Sequence, residues 1–444
     1  MSDLRSYLSR VDRAGQLWRV PRPVSRRFEI AAVTAAADGS NALLFEDVRG
    51  GFRVVSNLVG TRRRLEMAVG GAGVHARITA AMRAAKRPGR APGRFMANRS
   101  GDMRRLPVVT HFEKEPGPFI TSSVIYARNP ETGRQNSSFH RMMPVGKKSL
   151  TVRMVEGRHL HRCFEDARAH GEDLRVAVAI GVHPAISVAG ACQAEWGRDE
   201  MLIANSLLGG RLRLARLPYS GLDVPSGAEI VLEGRIRRDA TSKEWMVEML
   251  RTYDHAREQP VFELESMYHR DDPVYHDILS GYTEHRLLMG VPAEAKLAGG
   301  LSRAFRGTRR VTLSAGGCGW LHAVVQIRKR GDGDPGRVIR EAFRIHRSLK
   351  QVTVVDEDID PDSAESVEYA VATRFQADRD LVVLRGVRGS SLDPSSDQAR
   401  LRTAKTGIDA TRPLSKRPEG FELARIPGAG RTRLGRYVRN LSES

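Results

Sequence analysis

Asn136-Ser137-Ser138-Phe139-His140-Arg141-Met142-Met143 is the densest polar cluster in this 444-residue chain, and the fold is read outward from it. Gly146-Lys147-Lys148, a hairpin-type turn, follows closely, and then the β-rich run Ser149-Leu-Thr-Val-Arg-Met154. Two strands joined at that turn would bring Asn136 near Arg158-His159-Leu160-His161. An amide oxygen, an imidazole and a carboxylate together suit Mg2+ or Mn2+. The competing reading is a hydrogen-bonded His159 with Arg141 and Arg158 on the surface.

Strands dominate from Val108 to about Met289, with β-rich runs at 120–126, 175–180, 229–233 and 260–265 and helices expected at 160–171 and 198–208. Before this region the chain reads as mixed α/β. Asp3 is placed to cap a helix through Leu8, with Leu4, Tyr7, Leu8 and Val11 as its apolar stripe. Ala42–Glu46 and Phe52–Ser56 read as strands flanking the turn Arg49-Gly50-Gly51, and a helix follows near 62–69. Lys86–Gly93 holds four Pro or Gly in eight residues and reads as a loop. After Arg309, strands at 311–313, 322–327, 351–355 and 381–384 alternate with helices at 334–348 and 364–375, the pattern of a covered sheet.

The length exceeds what one core accommodates, and 41% hydrophobic with 28% charged residues is a soluble globular balance. Apolar runs such as Val176–Ile180 are strand-sized, far short of the roughly 20 residues of a membrane helix. With no apolar signal core at the N-terminus, a cytoplasmic location is expected. Cys163, Cys192 and Cys318 form no CxxC pair, which argues against a disulfide framework. The net charge of +20 suits either nucleic acid or an anionic cofactor and substrate. The excess gathers at Arg83–Arg105 and Arg425–Arg439, without a zinc-finger or RNA-recognition motif, so neither nucleic acid nor membrane is expected as a partner.

Two further clusters carry charge. Tyr268-His-Arg-Asp-Asp-Pro273 precedes Thr283-Glu284-His285-Arg286, where Glu284 is either a buried carboxyl of tuned acidity or a helix-start Glu in an ion pair. Asp356-Glu357-Asp358-Ile-Asp360 is either a cation site or a solvated loop with a helix cap.

In order along nearly the whole chain, these segments resemble the UbiD family of decarboxylases. The resemblance runs through Asp3–Leu8, Leu43–Gly50, Asn136–Met142, Val176–Gly181 with His183-Pro-Ala, Ala228–Gly234, Tyr268–Tyr275, Val354–Asp360, Ala372-Thr-Arg and Lys405–Thr411. Arg158-His159-Leu160 is similar to an archaeal-type branch of that family. The resemblance implies an α+β chain: a central split β-barrel at 108–305, an N-terminal α/β region at 1–107, and a C-terminal α/β domain with an oligomerisation tail at 306–444. It implies prenylated FMN, Mn2+ (or Mg2+) with K+ as a companion ion, a flavin prenyltransferase as cofactor supplier, an unsaturated or aromatic carboxylic acid as substrate, and a homodimer or larger homo-oligomer. Asn136, Ser138, Arg158, His159 and Lys405 match its cofactor-binding positions. Asn136, His159 and Glu244 match its metal ligands, with Glu248 the fallback where the family's Glu-Gly-Pro-Phe motif is altered. Arg141 matches the residue that orients the carboxylate and Glu284 the proton donor. A further acid used by some members falls on Leu279, which leaves Asp277 as a candidate. The alternative role is a non-catalytic flavin-binding subunit.

Overall fold

The computed structural model of the chain describes residues 2–48 and 51–437. The expected turn at Arg49-Gly50 and the last residues of the basic tail, 438–444, lie outside these.

At the N-terminus the Asp3 carboxylate accepts from the Ser6 amide at 2.9 Å and starts the helix Leu4–Arg13, whose buried face is Leu4, Tyr7, Leu8 and Val11. The helix shields a four-stranded sheet of Leu17–Val20, Ala42–Val48, Phe52–Ser56 and Val274–His276. Its last strand arrives more than 200 residues later and pairs parallel with Phe52–Ser56, tying the N-terminal region to the centre.

The centre is a closed antiparallel barrel of six strands. Ile230–Glu244, Leu174–Ile180, Ile120–Arg128, Gln135–Pro144, Ser149–Val152 and Arg257–His269 pair in that order, and the last pairs back with the first. Closure leaves the barrel no free edge. The run Val176–Ile180 shows why the strands read as continuously apolar. Val176, Val178 and Ile180 belong to one buried cluster, and Ala177 and Ala179 to the cluster on the other face. Opposite Arg141 the ladder between Ile120–Arg128 and Gln135–Pro144 slips register between Ile120 and Ser123. Such irregularities re-aim side chains beside sites.

Thr283–Ala304, a 22-residue helix, carries the chain from the barrel to a five-stranded mixed sheet ordered Thr308–Leu313, His322–Ile327, Gln351–Asp356, Arg402–Ala410, Leu381–Arg388. Gly290 lets that helix meet the next loop: a Cβ there would stand 2.8 Å from the Gly319 carbonyl oxygen. Ala293, Leu297 and Leu301 anchor it in the core of the sheet.

The helices expected at 160–171, 198–208, 334–348 and 364–375 occur as His159–Ala169, Glu200–Leu207, Asp334–Ile345 and Ala364–Arg374. Lys86–Gly93 is a loop except for Gly89–Arg90, which pairs with Arg213 and Leu214. Pro184–Ala191 escaped sequence reading because it is buried on nearly all sides and has no polar face to give it a period. Among the described residues no helix is long and apolar enough to cross a membrane.

Candidate functional site

A cavity of about 380 Å3 lies where the barrel, the helix Thr283–Ala304 and the C-terminal sheet meet. One wall is apolar: Phe139, Leu160, Met246, Met249, Met289 and Trp320. Arg141, Arg153, Arg158 and Lys296 also line it, together with the carboxylates of Glu200 and Glu248.

At one end Asn136, His159 and Glu200 converge. Asn136 Nδ2 donates to Glu200 Oε1 at 3.0 Å and lies 3.2 Å from His159 Nδ1, and His159 Nδ1 is 3.6 Å from Glu200 Oε1. The Ser137 amide donates to Glu200 Oε2 at 2.8 Å. Burial pushes the Glu200 carboxyl above its usual range. Turning the Asn136 amide over presents its oxygen to the same point. Amide oxygen, imidazole and carboxylate are then the donor set of a hard divalent ion. The proximity of Asn136 and His159 was expected from a hairpin. It arises because His159 opens a helix after the hairpin strand and edges against Trp196 at 5.3 Å.

The sequence reading gave Glu244 or Glu248 the third place beside Asn136 and His159. Both stand with Arg141 instead. Arg141 Nη2 meets Glu244 Oε1 at 2.8 Å and Asp254 Oδ2 at 3.3 Å, while Nη1 donates to Glu248. The 15-residue strand ending at Glu244 and the following segment carry these acids to the guanidinium. Burial opposes the charge on Arg141, but Glu248 and Glu244 outweigh it and keep the group charged. Burial also pushes Glu248 above the usual carboxylate range. Asp254 goes the other way, because Arg257 and Arg141 overcome the effect of its burial. Two neighbouring carboxyls with opposed shifts are the pattern of an acid and a base.

Glu284, expected beside Arg141, is not among the residues lining the cavity. Its Oε1 accepts from the Val59 amide at 3.0 Å and lies 3.2 Å from His276 Nε2. A Glu in a helix's first turn reaches back over the preceding chain, and here it ties the helix to the N-terminal region. Asp277 likewise faces His111 and Thr121 rather than Arg141.

Ser138 sits between the two clusters, donating to His140 Nε2 at 2.8 Å. His140 donates through Nδ1 to the Arg153 carbonyl, and burial pushes its pKa down to about 4, so it is neutral. Arg158 lines the cavity with no side-chain hydrogen bond or ion pair among the described residues. Among the described residues Lys296 Nζ reaches only Gln193, at 3.3 Å. Lys405 does not line the cavity; its Nζ donates to the Arg347 carbonyl at 2.5 Å, and burial pushes its pKa down to about 8. Sequence reading missed Glu200. Asp199-Glu200 opens a helix, and an acidic pair there looks like any cap.

Comparison with known proteins gives this geometry its context. The 3-octaprenyl-4-hydroxybenzoate carboxy-lyase Rift-related domain model matches residues 86–283, with the N-terminal and C-terminal domain models of the same enzyme at 8–83 and 286–410. Anhydromevalonate phosphate decarboxylase of Methanothermobacter thermautotrophicus is 40% identical over 418 residues, 93% of this chain and 97% of that one. The Aeropyrum pernix protein of the same name is 37% identical and covers 96% of each. The UbiD-class enzyme HmfF from Pelotomaculum thermopropionicum, solved with FMN, superposes with a TM-score of 0.93 at 37% identity over 98% of this chain and all of its own. An evolved dimeric form solved with prFMN gives 0.90 at 35% identity, over 99% of this chain and 100% of that one. Matched by all three domain models in order and by these relatives along almost its whole length, the chain belongs to the UbiD family and is a carboxy-lyase.

Proposed function

We propose that the cavity releases CO2 from an α,β-unsaturated carboxylic acid with prenylated FMN bound in it, and that Glu248 rather than Glu284 delivers the proton. The observation that carries this reading is Arg141 held among Glu244, Glu248 and Asp254 on the cavity wall.

Asn136, His159 and Glu200 would hold Mn2+ or Mg2+, with K+ as a companion ion, against the cofactor phosphate. The donor set fits, and the cationic, half-apolar cavity suits a planar anionic flavin. When bound, that group supplies the electron sink for the charge left behind by CO2. Arg141 offers its fork to the substrate carboxylate, and Glu244 fixes the direction of that fork. Glu248, whose carboxyl burial pushes toward its protonated form, stands at the cavity and gives its proton to carbon, worth about 10²–10⁴-fold in rate. His140 and His285 are both kept neutral by burial, with pKa values near 4, so they add no competing charge.

Arg158 and Lys296 support a finer reading: the acid carries a second anionic group. Neither has a carboxylate partner among the described residues, and neither has His346 Nε2, on a ring whose pKa burial, and after it both charges, pushes down to about 4. The archaeal relatives are named for a substrate bearing a phosphate. The cofactor supplier is a flavin prenyltransferase. A homodimer or larger homo-oligomer would cover Leu423, Ile426 and Tyr437, which are 64–79% exposed on the tail.

The test is co-expression with a flavin prenyltransferase, loading with Mn2+, and measurement of CO2 release and deuterium exchange over unsaturated acids. Glu248→Gln should bind the flavin and lose turnover, and Glu284→Gln should keep it. The reverse pattern overturns the assignment. A protein that stays colourless under these conditions is a non-catalytic subunit.

A further inference from the structure

Behind the cavity wall lies a cluster that the reaction does not touch. His111, Asp277 and Glu115 have no exposed side-chain surface. His111 Nε2 lies 3.0 and 3.1 Å from the two Asp277 oxygens. Its Nδ1 has no hydrogen-bond partner and lies 3.9 Å from Glu115 Oε2. Glu115 turns its other oxygen to the Val247 amide at 3.3 Å, and Val247 directly precedes Glu248. Asp277 accepts from Thr121 Oγ1 at 3.3 Å, and Thr121 Oγ1 accepts from the Ile278 amide at 2.9 Å. Thr121 and Ile278 line the cavity.

We propose that His111 is a positioning residue: a buried imidazolium, held between Asp277 and Glu115, that locks the main chain carrying Glu248 against the barrel. This rests on Glu248 being the proton donor. Two buried carboxylates with no cation between them would be strongly disfavoured, and a neutral imidazole would leave Nδ1 bare of a proton beside Glu115. The titratable groups facing His111 are Asp277 and Glu115, with the buried Tyr275 hydroxyl beside Asp277. Burial works against the imidazolium, and Asp277 together with Glu115 outweighs it, while burial pushes the Glu115 carboxyl up against the pull of the cation. The cation therefore gives Glu115 its charge partner, Glu115 holds the Val247 amide, and that amide sets where the next residue presents its carboxyl to Arg141.

The test uses the flavin- and Mn2+-loaded enzyme. His111→Gln and the isosteric Glu115→Gln should lower kcat by about 10- to 100-fold, as a displaced catalytic group does. KM should stay unchanged, the alkaline limb of the pH–rate profile should shift, and hydrogen exchange at the Val247 and Glu248 amides should accelerate. Folded variants with an unaltered kcat and pH profile overturn the proposal. If neither variant folds, 15N NMR of the wild-type histidines decides it: a doubly protonated His111 at neutral pH is expected, and a neutral ring overturns it. Glu248→Gln separates this from the underlying reading. If Glu248→Gln retains turnover, the proton-donor assignment falls and this positioning role falls with it. If it is inactive while the His111 and Glu115 variants match wild type, only the positioning role fails.

Discussion

Arg141 and Glu244 form a buried pair at the cavity: Nη2 meets Oε1 at 2.8 Å, Nε lies 3.3 Å from both carboxylate oxygens, and Glu244 has no exposed side-chain surface. Removing one partner of such a pair leaves a buried charge alone. Arg141→Ala should therefore destabilise the fold by about 3–5 kcal/mol, measured by urea unfolding of the apo protein. Arg141→Lys keeps the charge but loses the fork, so it should recover much of the stability while turnover stays low.

Mn2+ binding separates the glutamates. Glu200→Gln should lose more affinity than the roughly 10–100-fold typical of outer-shell partners, while Glu244→Gln should bind the ion as wild type does. Titration of apo protein with Mn2+, followed by electron paramagnetic resonance, reads this without turnover. Loss of the ion in Glu244→Gln and not in Glu200→Gln would return the third ligand to Glu244.

The pH dependence follows from the opposed shifts of Glu248 and Asp254. In its proposed role Glu248 acts in the protonated form, so kcat should fall as pH rises through its raised pKa, and Glu248→Gln should abolish that limb. Stability carries both signs. The Asp254 contribution is complete above the unfolded aspartate value of about 3.9 and is lost as pH falls through its lowered folded pKa. The Glu248 contribution is complete below about 4.3, the unfolded glutamate value, and is lost as pH rises through its raised folded pKa. Urea midpoints across pH, for wild type and Glu248→Gln, measure the two separately.

Arg158→Gln with Lys296→Gln tests the second anionic group. Loss of charge-assisted hydrogen bonds of about 1.5–3 kcal/mol each should raise KM for a phosphate-bearing acid at least roughly 10-fold. KM for the same acid without the phosphate should hardly move. FMN affinity, followed by fluorescence, should stay unchanged; if it collapses instead, the two cations serve the cofactor phosphate.

Glu284→Gln should cost little turnover but loosen the attachment of the N-terminal region. The Gln oxygen can still accept from the Val59 amide at the present 3.0 Å contact, so a small fall in melting temperature is expected. Hydrogen exchange at Val59 reports the change directly.

Much of this was determined by the sequence alone. Asn136 and Arg141 share one strand, five residues apart, so their closeness along the barrel wall follows from local structure, although an odd separation does not by itself aim both at one site. The strand-rich centre, the alternating C-terminal region and the cap at Asp3 follow from side-chain periodicity and turn chemistry, which act over a few residues. Only the tertiary structure decided which glutamate stands beside which partner. Glu200 is 64 positions from Asn136, and Glu244 is 103 from Arg141. Glu200, Glu244, Glu248 and Glu284 each stand near basic residues or a helix start, so their local sequence does not tell them apart. Barrel closure brings Ile230–Glu244 and the segment after it to Arg141, and the first turn of Thr283–Ala304 turns Glu284 toward Val59. A carboxylate's role is set by which charge and how much solvent it meets, and those are properties of the closed fold rather than of its neighbours in the chain.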